Sequence, residues 1–175
     1  MFSARGFDAV GVQEIAEACS LGKPTLYHYF GNKQGLLETI IDEEFSVLRA
    51  KVMQAAEYKR DITANLQDLA KAFFEYAKDN RDLYRMQLTM YLSPPENPVH
   101  GIVYKYNKEL HDILETLFRN AVSDHGNMKG KDRIYAATFM GMINTYIGLY
   151  LNGYVEFSEV LVYGIVKQFM HGIFS

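Results

Sequence analysis

Residues 11–30 read GVQEIAEACSLGKPTLYHYF and decide the fold of the first part of the chain. The spacing of apolar residues predicts a short helix over residues 12–18, a tight turn over 19–22 and a second short helix over 23–29. Pro24 is compatible with the second helix because the first turn of a helix needs no amide donor. Two short helices joined by such a turn form a helix-turn-helix unit, whose second helix can enter the major groove of DNA.

The helical periodicity assigns an inner and an outer face to this unit. We predict that the core side consists of Ile15, Ala16, Leu21, Leu26 and Phe30. We predict that Lys23, Thr25, Tyr27 and His28 face outward. Tyr29 and Phe30 are expected to pack inside the small domain, because aromatic side chains usually serve cores. The single cysteine, Cys19, is expected to be a small buried packing residue.

The rest of the chain is also predicted to be helical, because apolar residues recur at three- and four-residue spacing and no stretch shows sustained alternation. Further helices are predicted over residues 33–57, 62–78, 83–92, 98–123, 132–152 and 157–173. The sequence therefore predicts an all-α chain with a helix-turn-helix domain over residues 1–45 and a helical bundle over 46–175. The boundary is placed within the long helix near Phe45.

Composition narrows the class of protein. The 175 residues are 49% hydrophobic and 22% charged, with a formal net charge of -3, which is typical of a soluble globular protein. Any DNA binding must therefore come from a local surface. A lone cysteine cannot form an internal disulfide, and residues 1–10 lack a basic start followed by an apolar run, so we expect a cytoplasmic protein without a secretory signal.

One uncharged segment raises the alternative of a membrane span. From Ile134 to Val155 there is no Asp, Glu, Lys or Arg across 22 residues. A helix of that length is about 33 Å long, enough to cross a bilayer. The segment also contains Asn144, Asn152 and three glycines, and no basic cluster flanks it. We therefore expect a helix that is covered by protein rather than by lipid.

The first 45 residues resemble the tetracycline-repressor (TetR) family of bacterial transcriptional regulators. The matching positions are Phe2, Gly6-Phe7, Ile15-Ala16-Glu17-Ala18, Pro24-Thr25-Leu26-Tyr27-His28-Tyr29-Phe30, Asn32-Lys33 and Leu36-Leu37. The chain departs from the family pattern at Ser20, where glycine is usual, and at Gly11 and Gly22, where hydroxyl-bearing residues are usual. The family's first helix begins well before Phe2, so we expect that this helix is truncated here.

The resemblance implies a homodimer whose two recognition helices bind the half-sites of a near-palindromic operator in double-stranded DNA. Carried over position by position, the residues expected to contact bases and phosphates are Gln13, Lys23, Thr25, Tyr27 and His28, and Lys33 is expected to hold a phosphate. A lysine and a helix N-terminus both favour phosphate. Hydroxyl and imidazole groups can bond to groove edges or to backbone oxygens.

The resemblance also implies that the C-terminal part binds a small-molecule effector. Aromatic residues with interspersed polar groups could line a partly apolar pocket. The candidate ligand-binding residues are Phe73, Tyr84, Gln87, Tyr91, Tyr104, Asn107, His111 and Phe118. The alternative, which we favour for each residue taken singly, is that they belong to the core, since interior aromatics need no ligand to explain them.

The last two helices combine small and apolar residues, which indicates a dimer interface of four helices. The candidate interface residues are Ala136, Ala137, Phe139, Gly141, Met142, Ile143, Thr145, Ile147, Gly148, Leu149, Leu161, Ile165, Phe169 and Ile173.

Catalytic patterns are weak in this sequence. The five histidines show no metal-ligand spacing, and no glycine-rich phosphate loop follows a strand, so we predict no metal, no cofactor and no enzymatic activity. We predict a ligand-responsive dimeric transcriptional regulator, most consistent with a repressor that a small molecule releases from its operator. The alternatives are a helical protein that binds a hydrophobic ligand without regulating DNA, and an all-α enzyme.

Overall fold

The structure is a computed structural model that describes residues 1–172. Within this range the regular structure is entirely helical, which confirms the predicted all-α fold. The helices are α1 (Phe2–Arg5), α2 (Val12–Ala18), α3 (Lys23–Phe30), α4 (Lys33–Ala55), α5 (Ile62–Asp79), α6 (Arg81–Tyr91), α7 (Pro98–Ala121), a 3-10 turn (Gly126–Met128), α8 (Asp132–Leu151) and α9 (Glu159–His171). Ile173, the predicted end of the last helix, lies outside the described residues.

Side-chain caps explain where two of these helices begin. Asp61 accepts a hydrogen bond from the Ala64 amide at 3.0 Å and so caps the N-terminus of α5. Ser158 accepts one from the Leu161 amide at 3.2 Å and caps α9, which therefore begins at 159 rather than at the predicted 157. Each cap satisfies an amide that has no partner within its own helix.

The helices form two compact units. The first unit comprises residues 1–47 and 82–106, and the second comprises residues 48–81 together with the chain from 107 onward. The first unit thus contains the predicted helix-turn-helix together with most of α6 and the first part of α7. The functional division into domains over 1–45 and 46–175 remains a prediction.

Two polar contacts and one ring contact hold the first unit together around α4. The Gln34 side-chain amide donates to the Pro98 carbonyl at 3.0 Å, which connects the start of α4 to the start of α7. Further along the same pair of helices, the Tyr106 hydroxyl donates to the Asp42 carboxylate. The Tyr106 ring also packs on Phe45 with centroids 4.5 Å apart. These contacts give the two helices a fixed register.

The second unit has an aromatic core and one buried polar residue. Helix α5 packs against α8 and α9 and contributes Phe73 and Phe74, both fully buried. Asn65 is the one buried polar side chain among the described residues. Its amide donates to the Ala55 and Glu57 carbonyls, both at 2.8 Å, and its oxygen accepts from the Lys59 amide at 3.1 Å. Asn65 therefore satisfies the backbone where α4 ends and the chain turns into α5.

Helix α8 is long and apolar enough to cross a membrane by length and composition, and a third of its most apolar 18-residue window is buried within the chain.

The structure corrects the predicted interface, because that prediction combined two faces of the last helices. The members that are buried inside their own chain are Ala136, Phe139, Ile143, Ile147 and Ile165. Ala137, Gly141, Thr145 and Leu149 are exposed and face away from this core.

Candidate DNA-binding surface and ligand site

The turn of the helix-turn-helix is a Schellman motif. The Ser20 amide donates to the Glu17 carbonyl at 3.0 Å, and the Leu21 amide donates to the Ala16 carbonyl at 2.8 Å. This bonding pattern ends α2 with a left-handed residue, and Ser20 has φ 55°. Residues other than glycine rarely adopt this backbone conformation, which explains why glycine is usual at this position in the TetR family.

Helix α3 presents the predicted DNA-reading residues to solvent. Lys23, Tyr27 and His28 are exposed and Thr25 is half-buried, while Leu26 on the opposite side is 5% exposed. The arrangement leaves hydroxyl, imidazole and ammonium groups on one accessible helix. Their contacts with DNA remain predictions, and the geometry is compatible with them.

Three packing predictions for this region are wrong. Tyr29 is 73% exposed and Leu21 is 47% exposed, although both were expected to pack inward. Cys19 is exposed rather than buried. The reason is the size of the unit, because Leu26 and the half-buried Phe30, one turn apart, already cover the inner side of α3. The turn residues project beyond the small core.

Tyr29 is therefore a candidate DNA contact that sequence reasoning missed. Its ring packs edge-on against His28 with centroids 5.3 Å apart, so the two side chains form one exposed aromatic surface. The signal was present in the sequence. Four consecutive ring residues, 27–30, point in different directions around the helix, so Tyr29 and Phe30 were not equivalent candidates for one narrow inner face.

Two predicted DNA contacts have partners within the chain. The Lys33 ammonium lies 4.3 Å from the centroid of the Phe7 ring and 3.5 Å from the Asp8 carbonyl oxygen. The Gln13 side-chain amide donates to the Glu17 carboxylate at 2.5 Å. To bind DNA, each of these two side chains must give up its partner within the chain or keep that partner while it also contacts DNA.

A close approach of backbone atoms fixes the start of α4, where Lys33 lies. The Asn32 side chain accepts a hydrogen bond from the Gly35 amide at 2.9 Å and caps the helix. A Cβ atom on Gly35 would overlap the carbonyl oxygen of Phe30. Only glycine therefore permits the end of α3 to lie against the first turn of α4. The sequence pattern gave no sign of this constraint.

The electrostatics of the first unit do not favour DNA in general. The unit contains five Lys and Arg residues against nine Asp and Glu residues. Arg5 is engaged with Glu14, and this hydrogen bond lowers the pKa of the Glu14 carboxyl from its usual value. DNA binding by this unit must therefore come from a small surface around α3 and not from its net charge.

The predicted ligand-binding residues are divided between the two units. Tyr84, Gln87, Tyr91 and Tyr104 belong to the first unit, whereas Phe73, Asn107, His111 and Phe118 belong to the second. Their environments also differ. Phe73, Tyr84 and Phe118 are buried, Gln87, Asn107 and His111 are half-buried, and Tyr91 and Tyr104 are 41% and 57% exposed. Burial lowers the pKa of His111, which favours its neutral form. Ligand contact by this set remains a prediction.

The second unit contains a cavity of about 440 Å³ that the sequence did not reveal. Its aromatic and methionine lining comprises Phe118, Met128, Tyr135, Met142, Phe169 and Met170. Its polar lining residues, Asn127, Thr138 and Gln168, are uncharged. Phe118 is the one predicted ligand-binding residue that lines it. Residues from the end of α7, the 3-10 turn, α8 and α9 meet here, and such a meeting point is not visible as a local sequence pattern.

No group of three or more His, Cys, Asp or Glu side chains that could hold a metal ion occurs in the described residues.

Comparison with known proteins supports the interpretation of the N-terminal segment. Residues 1–40 match the family model described as bacterial regulatory proteins, tetR family. The HTH-type transcriptional activator FasR of Mycolicibacterium smegmatis is 30% identical over 86 residues, which are 49% of this chain and 39% of FasR. The chain thus spans about two fifths of the length of this curated relative.

Solved structures show the same fold over nearly the whole chain. One of them is FadR from Bacillus subtilis in complex with stearoyl-CoA, with a TM-score of 0.81 at 16% identity. The alignment covers 98% of this chain and 93% of the FadR chain. AibR, in complex with isovaleryl coenzyme A and operator DNA, has a TM-score of 0.70 at 19% identity and covers 95% of this chain and 90% of its own.

The exposed α3 and the Schellman turn before it define a helix-turn-helix regulator. Residues 1–40 are thus similar to the DNA-binding segment of the tetR family of bacterial regulatory proteins, and the whole chain has the fold of the solved regulators. The predicted resemblance is confirmed for residues 1–40, and the solved structures agree with the predicted all-α fold.

Proposed function

We propose that the chain is a homodimeric repressor that acts in the cytoplasm and leaves its operator DNA when it binds a small-molecule effector. The observation that carries this proposal is the exposed face of α3. Lys23, Tyr27 and His28 are exposed there on a helix-turn-helix that matches the family model. A regulator of this kind requires that the effector binds the conformation without DNA more tightly than the conformation with DNA.

The effector that we propose is an acyl-coenzyme A thioester. Two proteins of the same fold bind stearoyl-CoA and isovaleryl coenzyme A, respectively. In this chain the uncharged cavity of about 440 Å³ in the second unit suits an acyl chain, because its aromatic and methionine lining is adaptable and contains no charged residue.

The proposed dimer interface is the outward face of α8 and α9. This face combines exposed apolar residues such as Ile134, Val160 and Tyr163, which are 65%, 79% and 57% exposed, with the small residues Gly141 and Gly148. A Cβ atom added at either glycine meets nothing within 4 Å in the chain itself. The space beside these glycines is thus available for the close approach of a second copy.

The first experiment measures binding to the intergenic DNA beside the gene, with excess competitor DNA and at several salt concentrations. We expect selective binding that weakens as salt rises. If Lys23 and Lys33 are the phosphate contacts of each protomer, the slope of log K against log salt is about -4 for a dimer. The absence of selective binding by a folded dimer would favour a hydrophobic-ligand-binding protein or an enzyme.

Substitutions on the surface separate specific contacts from general effects. Thr25→Ala, Tyr29→Ala and Lys33→Ala are each expected to weaken operator binding about tenfold, which corresponds to one good contact. Lys129→Ala, an exposed lysine of the second unit, is the control and should leave binding unchanged. Unchanged affinity in all three variants would contradict the proposed surface.

The effector proposal is tested by adding stearoyl-CoA, isovaleryl-CoA or free coenzyme A to the complex with DNA. Release by one of the thioesters, but not by free coenzyme A, would support an acyl-CoA effector. If neither thioester changes DNA binding or the melting temperature, the effector belongs to another chemical class.

The dimer is tested by Gly141→Leu and Gly148→Leu, measured by sedimentation. Both variants should shift the protein toward monomer without loss of helicity, since the added side chains clash only with a partner. Gly101→Leu is a matched control, because Gly101 is also a helical glycine with open space beside it. An intact dimer in both α8 variants would contradict the interface.

A further inference from the structure

The first compact unit contains a cavity of its own, with a volume of about 220 Å³. It lies where α1 and the loop after it meet α6 and the loop before α7. Its apolar lining consists of Phe2, Phe7, Met86, Met90 and Val99. Four of these side chains are buried, with exposed fractions between 3% and 8%, so they belong to the stable part of the unit.

The polar rim of this cavity offers acceptors. The Thr89 hydroxyl donates to the Arg85 carbonyl at 2.9 Å, and the Ser93 hydroxyl donates to the Met90 carbonyl at 2.6 Å. Each hydroxyl has one proton, so their oxygens can only accept further hydrogen bonds while these contacts hold. Asp8, also at the rim, is likewise an acceptor when ionised. A ligand that brings a donor would find these acceptors at the rim, where the Ser3 hydroxyl and the Asn97 side-chain amide also lie.

We propose that this cavity binds a small uncharged aromatic molecule with one N–H or O–H donor, of the indole or phenol class. An apolar cavity of about 150 Å³ is sufficient for benzene, so this volume suits one or two rings. The ring would pack on Phe and Met side chains, which form favourable contacts with aromatic groups. An anionic ligand is disfavoured, because no lining residue carries a positive charge and the Asp8 carboxylate lies at the rim.

Two residues that line the cavity also contact Lys33, which is a predicted DNA contact. The Lys33 ammonium lies on the ring of Phe7 and contacts the carbonyl of Asp8, and both residues line the cavity. A ligand in the cavity therefore contacts the segment that positions Lys33. Its occupancy would change operator affinity, a consequence that rests on the proposed function, whereas the binding itself does not.

The experiment uses indole as the probe and the protein with ¹³C-labelled methionine methyl groups. Indole is expected to shift the signals of Met86 and Met90, which line this cavity, and to leave those of Met128, Met142 and Met170, which line the larger cavity of the second unit. Met86→Leu and Met90→Leu assign the two signals. Toluene, which lacks the donor, should bind at least fivefold more weakly.

A pair of tryptophan variants provides the control. Thr89→Trp should block the cavity and abolish the indole shifts, while Thr116→Trp should not. Thr116 is a matched residue, because it is also exposed on a helix and its hydroxyl donates to the carbonyl four residues earlier. Shifts confined to the second-unit methionines, no shifts up to the solubility limit of indole, or equal binding of indole and toluene would each overturn the proposal.

The effect of indole on operator binding is measured in a separate experiment. In the wild type, saturating indole is expected to change operator affinity at least threefold, and in Thr89→Trp it should have no effect. Methionine shifts without a change in DNA affinity would confirm the site and reject its coupling to Lys33. Failure of the protein to bind any operator would concern the proposed function alone, since the shifts do not require DNA.

Discussion

The two compact units are stabilised in different ways. In the first unit an apolar core is accompanied by two constrained backbone positions, the left-handed Ser20 and the close approach at Gly35. In the second unit they are a buried amide, Asn65, and an aromatic core that includes Phe74 stacked on Phe157 at 5.1 Å. The units also differ in charge, because the first has an excess of four acidic residues whereas the second has one more basic than acidic residue.

This difference indicates how DNA recognition is organised. A unit with excess negative charge cannot rely on general attraction to phosphates, so the geometry of α3 and the first turn of α4 must place a few groups accurately. The second unit has no such requirement. Its fold depends instead on a well-satisfied interior.

The largest expected effect concerns the interior of the second unit. Asn65→Ala removes three hydrogen bonds and leaves the Ala55 and Glu57 carbonyls and the Lys59 amide without this partner. We expect the free energy of unfolding to fall by about 3 kcal/mol. Urea unfolding measures it, with Asn120→Ala, an exposed asparagine, as the control. A loss below about 1 kcal/mol would show that water replaces the amide.

The next effect concerns backbone packing in the first unit. Gly35→Ala would place a methyl group against the Phe30 carbonyl, and we expect a cost of about 2 kcal/mol together with weaker operator binding. Gly101→Ala is the control, because Gly101 lies in a helix with open space and alanine favours helices, so this change should stabilise by up to about 1 kcal/mol. Equal behaviour of the two variants would remove the argument for a fixed α3–α4 junction.

A smaller effect is expected at the turn. Ser20→Gly relieves the left-handed conformation and should raise the free energy of unfolding by about 0.5–1 kcal/mol. Thermal unfolding and operator affinity are measured together. A gain in stability without a change in DNA affinity is the expected result, and a loss of stability would mean that the serine side chain stabilises the turn.

The smallest effect concerns pH. Burial lowers the pKa of His111, opposed by Glu115 and Asp112, so the unfolded chain binds a proton at this residue more readily than the folded chain. Stability is therefore lost as the pH falls below about 6.5, the usual value for histidine, and the loss is complete below the lowered pKa. His111→Gln should reduce the loss of stability between pH 7.5 and 5, whereas His171→Gln, an exposed control, should not.

Much of the fold could be predicted because helical periodicity is a local property. The bounds of α2, α3 and α5 agree with prediction to within one residue. The burial of particular residues was less predictable. Leu21 and Tyr29 are apolar or aromatic at plausible core positions, yet the small inner face of α3 is filled by other residues. In α8 the sequence showed an uncharged helix but did not reveal which side is covered by its own chain.

The candidate sites likewise contain residues that the sequence could predict and residues that it could not. The candidate DNA-binding residues of α3 could be proposed from the sequence because they are close together in the chain and share a helix. The cavities were not, since each is formed by residues from separate elements, such as Phe7 with Met86 in the first unit and Phe118 with Phe169 in the second. Asn65 was likewise invisible as a structural centre, because its partners lie in the preceding turn.

The sequence by itself determined the all-α class, the helix-turn-helix and the resemblance of residues 1–40 to the TetR family, because each depends on local spacing and on a contiguous motif. Only the tertiary structure decided which side of α8 is exposed, why position 35 must be glycine and where the cavities lie. The physical reason is that burial and close approach depend on atoms that are distant in the chain. Local patterns set the helices, whereas the packing between them set the exposed surfaces and the cavities.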